Sequence, residues 1–389
     1  MKTFHQTLII LLFTSYFLPV IAQVKDGTYQ ATKEDNPTGI IEITVTSLGN
    51  GTTLYTERAD YKPLNGSYHF EIHGNRRHIS GNFVKGLPEG EWTEYMYSDI
   101  FKKYNFKNGK LNGKTYSFHD DGAHRSISTY KDGIFQHYIS YFPNGQIEEE
   151  RTYDEQGKKH GKAVIYNKEG EVVEDAYFEH GYYHGKKTEI NDSGYKQVET
   201  YNHGSLKGEY LRFYPNNQKL EEGIYDTNQK KDGKWTTWYE NGKIKTVDHY
   251  LNGELHGEKK SYYEDGSPQT IEEYENNKLH GKRTEYDKTP NQVLSESNYA
   301  NGKLDGESKS YYNGELWRES IYKNGMLLRE KEYKNGKLNV LRLVNDKGRM
   351  VDVQEYNTSG KIINTNKEYK KPESIKLKED ASGIIDIEY

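Results

Sequence analysis

From residue 66 to about residue 360 the apolar side chains come in short runs. A ring or branched side chain alternates with a polar residue, and each run stops at glycine or Asn-Gly. "DGKWTTWYENGKIKTVDHYLNGELHG", Asp232 to Gly257, shows the pattern. Alternation of period two predicts half-buried strands. Asn-Gly between two such runs predicts a hairpin, because a two-residue turn of that kind needs positive φ at both central positions. Glycine or Asn-Gly about every 12 residues leaves little room for a stable helix.

The punctuation is periodic. Gly66, Gly90, Gly113, Gly161, Gly185, Gly208, Gly233, Gly257, Gly281 and Gly306 are spaced by about 24 residues, with Gln136 standing in one missing place. A second glycine column runs through Gly122, Gly145, Gly170, Gly194, Gly242 and Gly266, and Asn217 fills its gap. A third runs through Gly109, Gly133, Gly157, Gly181, Gly204, Gly253, Gly302 and Gly325. Two aromatic columns keep the same phase. One is Phe118, Tyr141, Tyr166, Phe213, Trp238, Tyr262, Tyr286 and Tyr311; the other is Tyr130, Tyr153, Phe178, Tyr201, Tyr225, Tyr250, Tyr274, Tyr299 and Tyr322. Leu111, Leu206, Leu255, Leu279, Leu304 and Leu327 form a further column. Burying one ring contributes at most about 4–6 kcal/mol. Ordering a unit of about 24 residues costs about 24–48 kcal/mol. A unit is therefore stable only when stacked on its neighbours.

The expected fold is all-β: an elongated antiparallel meander of tandem β-hairpins in a single twisted sheet. The expected organisation is a leader over 1–22, a β lead-in or cap over 23–65, the repeat array over 66–360, and a tail over 361–389 whose "GIIDIEY" would form a last, capping strand. Near the end the beat shortens, because Tyr322-Lys323-Asn324-Gly325 is followed directly by Tyr333-Lys334-Asn335-Gly336. That changes the number of strands and not the architecture.

Composition changes the picture in three places. Hydrophobic residues are only 33% and charged residues 29%, which suits a disordered chain, but 36 Tyr, 12 Phe and 4 Trp do not. The net charge of -5 is interleaved, with no basic block of the kind that binds nucleic acid. There is no cysteine, which excludes disulfides, thiol catalysis, cysteine metal sites and lipoprotein acylation. The start, Lys2 followed by an apolar run from Leu8 to Ala22, reads as a secretory signal peptide with Gln23 after the cleavage point. The expected location is thus the periplasm, the outer-envelope surface or the extracellular space, without stable membrane insertion once the leader is removed.

The unit Y-x-N-G-x-L-x-G-x-x-x-x-Y-Y-x-x-G, as in Tyr250 to Gly266, resembles the MORN repeat variant, a family that includes bacterial proteins labelled YwqK-type antitoxins. The resemblance covers roughly Gly66 to Gly360. It implies tandem hairpins and interaction with other molecules, and it brings no catalytic residue. The eukaryotic MORN unit differs in having a second glycine where this chain has Glu258-Lys259.

Candidate chemistry is sparse. His160, His184, His256 and His280 each precede an in-phase glycine. Neighbouring hairpins lie about 10 Å apart and a zinc ligand must sit about 2 Å from its ion, so two histidines of this column cannot share a metal. Glu148-Glu149-Glu150, Glu221-Glu222 and Glu272-Glu273 sit on strands, where successive side chains face opposite ways rather than across a cleft. No catalytic, cofactor-binding or metal residue is assigned, and no enzyme is expected. The two aromatic columns fall on opposite faces of the sheet. The candidate ligand contacts are Tyr141, Tyr166, Phe213, Trp238, Tyr262, Tyr286 and Tyr311. The expected function is a protein-binding scaffold, of antitoxin or immunity kind; the alternative is a cell-wall or polysaccharide binder that stacks sugars on the aromatic column.

Overall fold

The computed structural model describes residues 27–48, 52–72, 76–288, 292–345, 347–366, 376–379 and 385–388. The expected leader, 1–22, lies outside them. The fold is all-β, an open antiparallel sheet of hairpins in meander order, with no helix among the described residues. The chain divides into two compact units: Met1–Asn191 with Tyr201–Gly204, and Asp192–Thr200 with Ser205–Tyr389.

The first unit opens with strands β1 (Gly27–Lys33), β2 (Asn36–Ser47), β3 (Thr53–Glu57), β4 (Gly66–Ile72), β5 (Arg77–Val84), β6 (Leu87–Met96) and β7 (Asp99–Lys107). β1 pairs with both β2 and β4, and β2 pairs with β3. The spatial order is therefore 3-2-1-4-5-6-7, and the lead-in departs from a plain meander at the β3–β4 connection. That connection turns β3 onto the β5–β6 turn: Tyr55 N donates to Gly86 O (2.9 Å), Gly86 N to Leu64 O (2.8 Å) and Leu64 N to Tyr55 O (3.0 Å). The result is a core. Ile43, Val45, Tyr55 and Leu64 from the lead-in bury against Tyr68, Ile79, Phe83 and Trp92 from the first hairpins. One carboxylate lies inside this core. Glu94 is fully buried, pairs with Arg77, and accepts from Tyr104 Oη at 2.5 Å, so its charge is compensated at both oxygens.

Beyond β7 the chain uses two kinds of turn. Asn108-Gly109, Asp132-Gly133, His180-Gly181, Asn252-Gly253, Asn301-Gly302, Asn313-Gly314, Asn324-Gly325 and Asn335-Gly336 have positive φ at both residues, the two-residue turn expected from the sequence. At other Asn-Gly pairs the expectation fails. Asn241-Gly242 has positive φ only at Gly242. Tyr239 N donates to Lys243 O (2.8 Å) and Gly242 N to Tyr239 O (2.9 Å), which closes a three-residue loop with a glycine bulge. The side chain of Asn241 explains the choice: its Oδ1 accepts from Lys243 N (2.9 Å) and its Nδ2 donates to Glu264 O (3.0 Å) in the next loop. Asn216 repeats that second bond to Glu240 O (3.2 Å). Tyrosines add a parallel series, with Tyr214, Tyr239 and Tyr263 donating to Trp238 O, Tyr262 O and Tyr286 O at 2.8–3.0 Å.

The array is held by one recurring cross-strand pair. Residues of the second aromatic column stand opposite the leucine column: Tyr250↔Leu255, Tyr274↔Leu279, Tyr299↔Leu304 and Tyr322↔Leu327, and Phe106, one repeat before Tyr130, stands opposite Leu111. Where leucine is missing, another ring or a lysine takes its place. Phe135 meets Tyr130 at 5.0 Å and Tyr153 at 4.5 Å between centroids, and Tyr183 meets Phe178 at 4.5 Å and Tyr201 at 5.3 Å. Lys159 puts its ammonium 4.9 Å from the centre of Phe178, and Lys231 stands 3.7 Å from that of Trp235. The register also places the two aromatic columns on opposite faces, as expected: Tyr250 shares a face with Trp235 through Gly233↔Tyr250 and Trp235↔Asp248, while Trp238 points the other way. The shortened beat gives ordinary hairpins, with Glu315–Lys323, Met326–Lys334 and Lys337–Val344 paired in turn. In the tail Ile385–Glu388 pairs with Lys376–Glu379.

Two tryptophans are fully buried, Trp92 and Trp235, one in each unit. Both lie flat against a glycine of the neighbouring strand: a Cβ on Gly81 would fall 2.0 Å from the Trp92 indole, and one on Gly223 2.1 Å from that of Trp235. Their Nε1 atoms donate to Asn82 O and Ile224 O, each at 3.2 Å. Neither glycine has positive φ, so contact alone requires it. Gly223→Ala is expected to destabilise the second unit by about 1–3 kcal/mol through overpacking. A lower urea midpoint and an altered Trp fluorescence signal would register the change, whereas an unchanged midpoint contradicts the packing assigned to Trp235.

Candidate functional site

The aromatic candidates are placed first. Tyr141, Tyr166, Phe213, Trp238, Tyr262, Tyr286 and Tyr311 all lie half-buried at or next to the ends of their strands. The Lys196 ammonium stands 4.3 Å from the Phe213 ring centre, and Lys219 stands 5.5 Å from Trp238. Around the last three the surface is a lattice of ion pairs. Lys282 meets Glu296 at 2.5 Å, Lys309 meets Glu307 at 2.9 Å, and Tyr311 Oη donates to Glu296 at 3.3 Å. The cross-strand partners Lys260↔Ile271, Ile271↔Thr284, Thr284↔Glu296 and Glu296↔Lys309 put Tyr262, Tyr286 and Tyr311 on one face.

The histidines are the part that sequence reasoning missed. His160 and His184 do not approach a common point with each other, as hairpin spacing requires. Each instead meets a histidine from the next turn along the edge. In the first unit Asp154, His160 and His180 gather so that one ligand atom from each lies within 4.8 Å of the others, and Glu179, His184 and His203 do the same one repeat later. His180 Nδ1 is 2.9 Å from Asp154 Oδ2; His184 Nδ1 and His203 Nε2 are 3.1 and 3.3 Å from Glu179 Oε2. The paired imidazoles stand 5.3 and 5.0 Å apart.

The repeat geometry builds both clusters the same way. Asp154 and Glu179 each follow a ring of the second aromatic column, Tyr153 and Phe178. His160 and His184 each precede the in-phase glycine. His180 and His203 each occupy the first central position of a two-residue turn, with φ of 49° and 47°, where the other turns use mostly Asn. One backbone bond sets the distance between turns: Gly181 N donates to Lys159 O (2.7 Å) beside His160, and Gly204 N to Tyr183 O (2.8 Å) beside His184. The signal available in the sequence was a histidine at an asparagine position, about 20 residues after an in-phase histidine. In the second unit the pattern is incomplete. His280 Nδ1 lies 3.4 Å from Glu275, beside a shallow open depression also lined by His256, Glu258, Glu273 and Tyr274. The matching turn position there is Asn301.

Three segments match the MORN repeat variant. They are residues 137–155, 231–252 and 255–276. The MORN-type segments contain Tyr141, Trp238 and Tyr262 of the candidate column, and the last two adjoin across the Asn252-Gly253 turn. No curated protein matches the chain. One solved structure, a putative 6-phosphogluconolactonase from Bacteroides uniformis, is 11% identical over 87% of this chain and 95% of that chain with a TM-score of 0.11, and a likeness of that kind carries no argument.

Burial raises the tyrosine hydroxyls of the ladder. Burial first, and then the Glu272 carboxylate, push Tyr274 up to about 12. Burial and Glu221 push Tyr210 up to about 12, and burial and Glu319 do the same for Tyr333. An ordinary tyrosine ionises near pH 10. The stability linked to these neutral phenols is therefore complete below about pH 10 and is lost as pH rises through about 12. The urea midpoint is expected to fall steeply between those values. Tyr274→Phe should make the fall shallower, and an identical slope in that variant would show that Tyr274 is not among the groups responsible.

Proposed function

We propose that the chain is an exported, non-enzymatic binding scaffold whose ligand is a protein, taken up on the face that carries Tyr262, Tyr286 and Tyr311. The MORN-type segments support a repeat-based binding role in general. The single observation that carries the protein reading is the surface between those rings: half-buried tyrosines in phase, framed by Lys282–Glu296 and Lys309–Glu307. Tyrosine set among paired charges is the composition of a protein interface, where rings supply contact area and a polar rim sets register. Sugar stacking needs an open ring face, and the half-buried, ammonium-covered rings of Phe213 and Trp238 offer less of one, which favours protein over glycan. An immunity-like role, in which the face occupies a partner's surface, fits the same chemistry. Export rests on the apolar run from Leu8 to Ala22.

Two measurements test this reading. The full chain, used as bait in an envelope extract, is expected to capture a stoichiometric protein. The triple variant Tyr262→Ala/Tyr286→Ala/Tyr311→Ala should weaken that capture at least tenfold while keeping its far-ultraviolet spectrum. Retention on purified cell wall, abolished by the same variant, would replace the protein reading with the glycan one. In the exporting cell the mature chain is expected to begin at Gln23; N-terminal sequencing that finds Met1 on the exported protein contradicts the leader.

A further inference from the structure

We propose that the two histidine–carboxylate clusters on the turn edge of the first unit are metal sites, each taking one divalent transition ion of the zinc type. The argument starts from the donors. Each cluster offers two imidazole nitrogens and one carboxylate oxygen, the set that binds zinc with a fourth position left for water. Calcium and magnesium prefer all-oxygen sites. Tetrahedral bonds of about 2.0–2.1 Å put ligand atoms about 3.3 Å apart. His180 is already 2.9 Å from Asp154 in the first cluster, and His184 and His203 are 3.1 and 3.3 Å from Glu179 in the second. His180 and His203, which complete the two pairs, are both exposed on turns.

Two independent observations separate these clusters from ordinary surface ion pairs. Nδ1 of His160 and Nδ1 of His184 are buried without a hydrogen-bond partner, and the Glu179 carboxylate lies 3.1 Å from His184 Nδ1. The same atom is buried at the same repeat position twice. A buried polar atom without a partner is costly, and a cation between the three side chains would satisfy it. The second observation is positional. Among the described two-residue turns of the array, histidine replaces the usual first residue only at 180 and 203. Those are the two turns that reach a preceding His-Gly with an acidic neighbour. Beside His280 and Glu275 the corresponding turn residue is Asn301, and among the described residues no third donor comes close enough to complete a cluster.

A metal at each site would clasp successive turns along the edge, which a backbone bond already joins, Gly181 N to Lys159 O or Gly204 N to Tyr183 O. Asparagine is the native residue at this turn position in Asn252, Asn301 and Asn324, so replacing His180 or His203 by asparagine keeps the turn while removing a donor. The untagged full chain, stripped with a chelator and titrated with Zn(II), is expected to bind two equivalents. H180N should bind one equivalent, H180N/H203N none, and H280N two. Co(II) should give a visible absorption band that H180N halves. The thermal midpoint should rise with Zn(II) for the native chain and stay fixed for H180N/H203N. Two equivalents retained by H180N/H203N, or no saturable binding by the native chain, overturns the proposal.

Discussion

The structure depends on one cross-strand contact, the pairing of a ring in the second aromatic column with the residue five or six positions later across the turn. Each strand of the array is too short and too polar to be stable alone. What makes a hairpin persist is that Tyr250 covers Leu255, or Tyr274 covers Leu279, on the face opposite Tyr262 and Tyr286. Such a pair is worth only about 0.2–1 kcal/mol. It is reinforced where the ring also touches the preceding repeat, as Tyr153 touches Phe135, Tyr201 touches Tyr183 and Tyr250 touches Trp235. The same logic explains how 33% hydrophobic residues hold a long chain in order. The apolar position can be lysine, as at Lys159 and Lys231, because an ammonium over a ring is also attractive.

This economy leaves the ends as the weak points, and the first unit deals with its own end differently. Its lead-in does not simply add one more strand. It crosses from β3 past Leu64 and covers one face of β5 and β6 with aliphatic side chains, so that a two-layer core caps the rings. An open sheet end invites pairing with other chains, and a core there also supplies burial that the thin array lacks. Glu94 and Tyr104 sit inside that core and Arg77 reaches Glu94 from its partly exposed rim, which ties the orientation of β6 to both of its neighbours.

Much of this was legible in the sequence because glycine and tyrosine are decided by local geometry. Positive φ at Asn252-Gly253 and a ring on every second strand follow from the residues themselves. The fold class, the repeat and the opposition of the two aromatic faces could all be read that way. The turn at Asn241-Gly242 could not, since the same dipeptide suits two loops and the choice is made by its bonds to Lys243 and Glu264. Trp235 was equally hidden. Nothing in the alternation separates it from Trp238, and only the glycine at 223 on the neighbouring strand makes room for it.

The histidines show where column reasoning reaches its limit. Reading down one column compares residues about 10 Å apart and rightly keeps His160 and His184 from a common ligand. Contacts in a repeat array, however, also run diagonally, from the end of one hairpin to the turn of the next. His160 with His180, and His184 with His203, are such diagonals, invisible until the bond from one turn's glycine to the preceding strand fixes the offset. An array of this kind holds its chemistry between columns rather than within them. A repeated scaffold can therefore acquire a site by changing one turn residue, with no change to the rings that keep it folded.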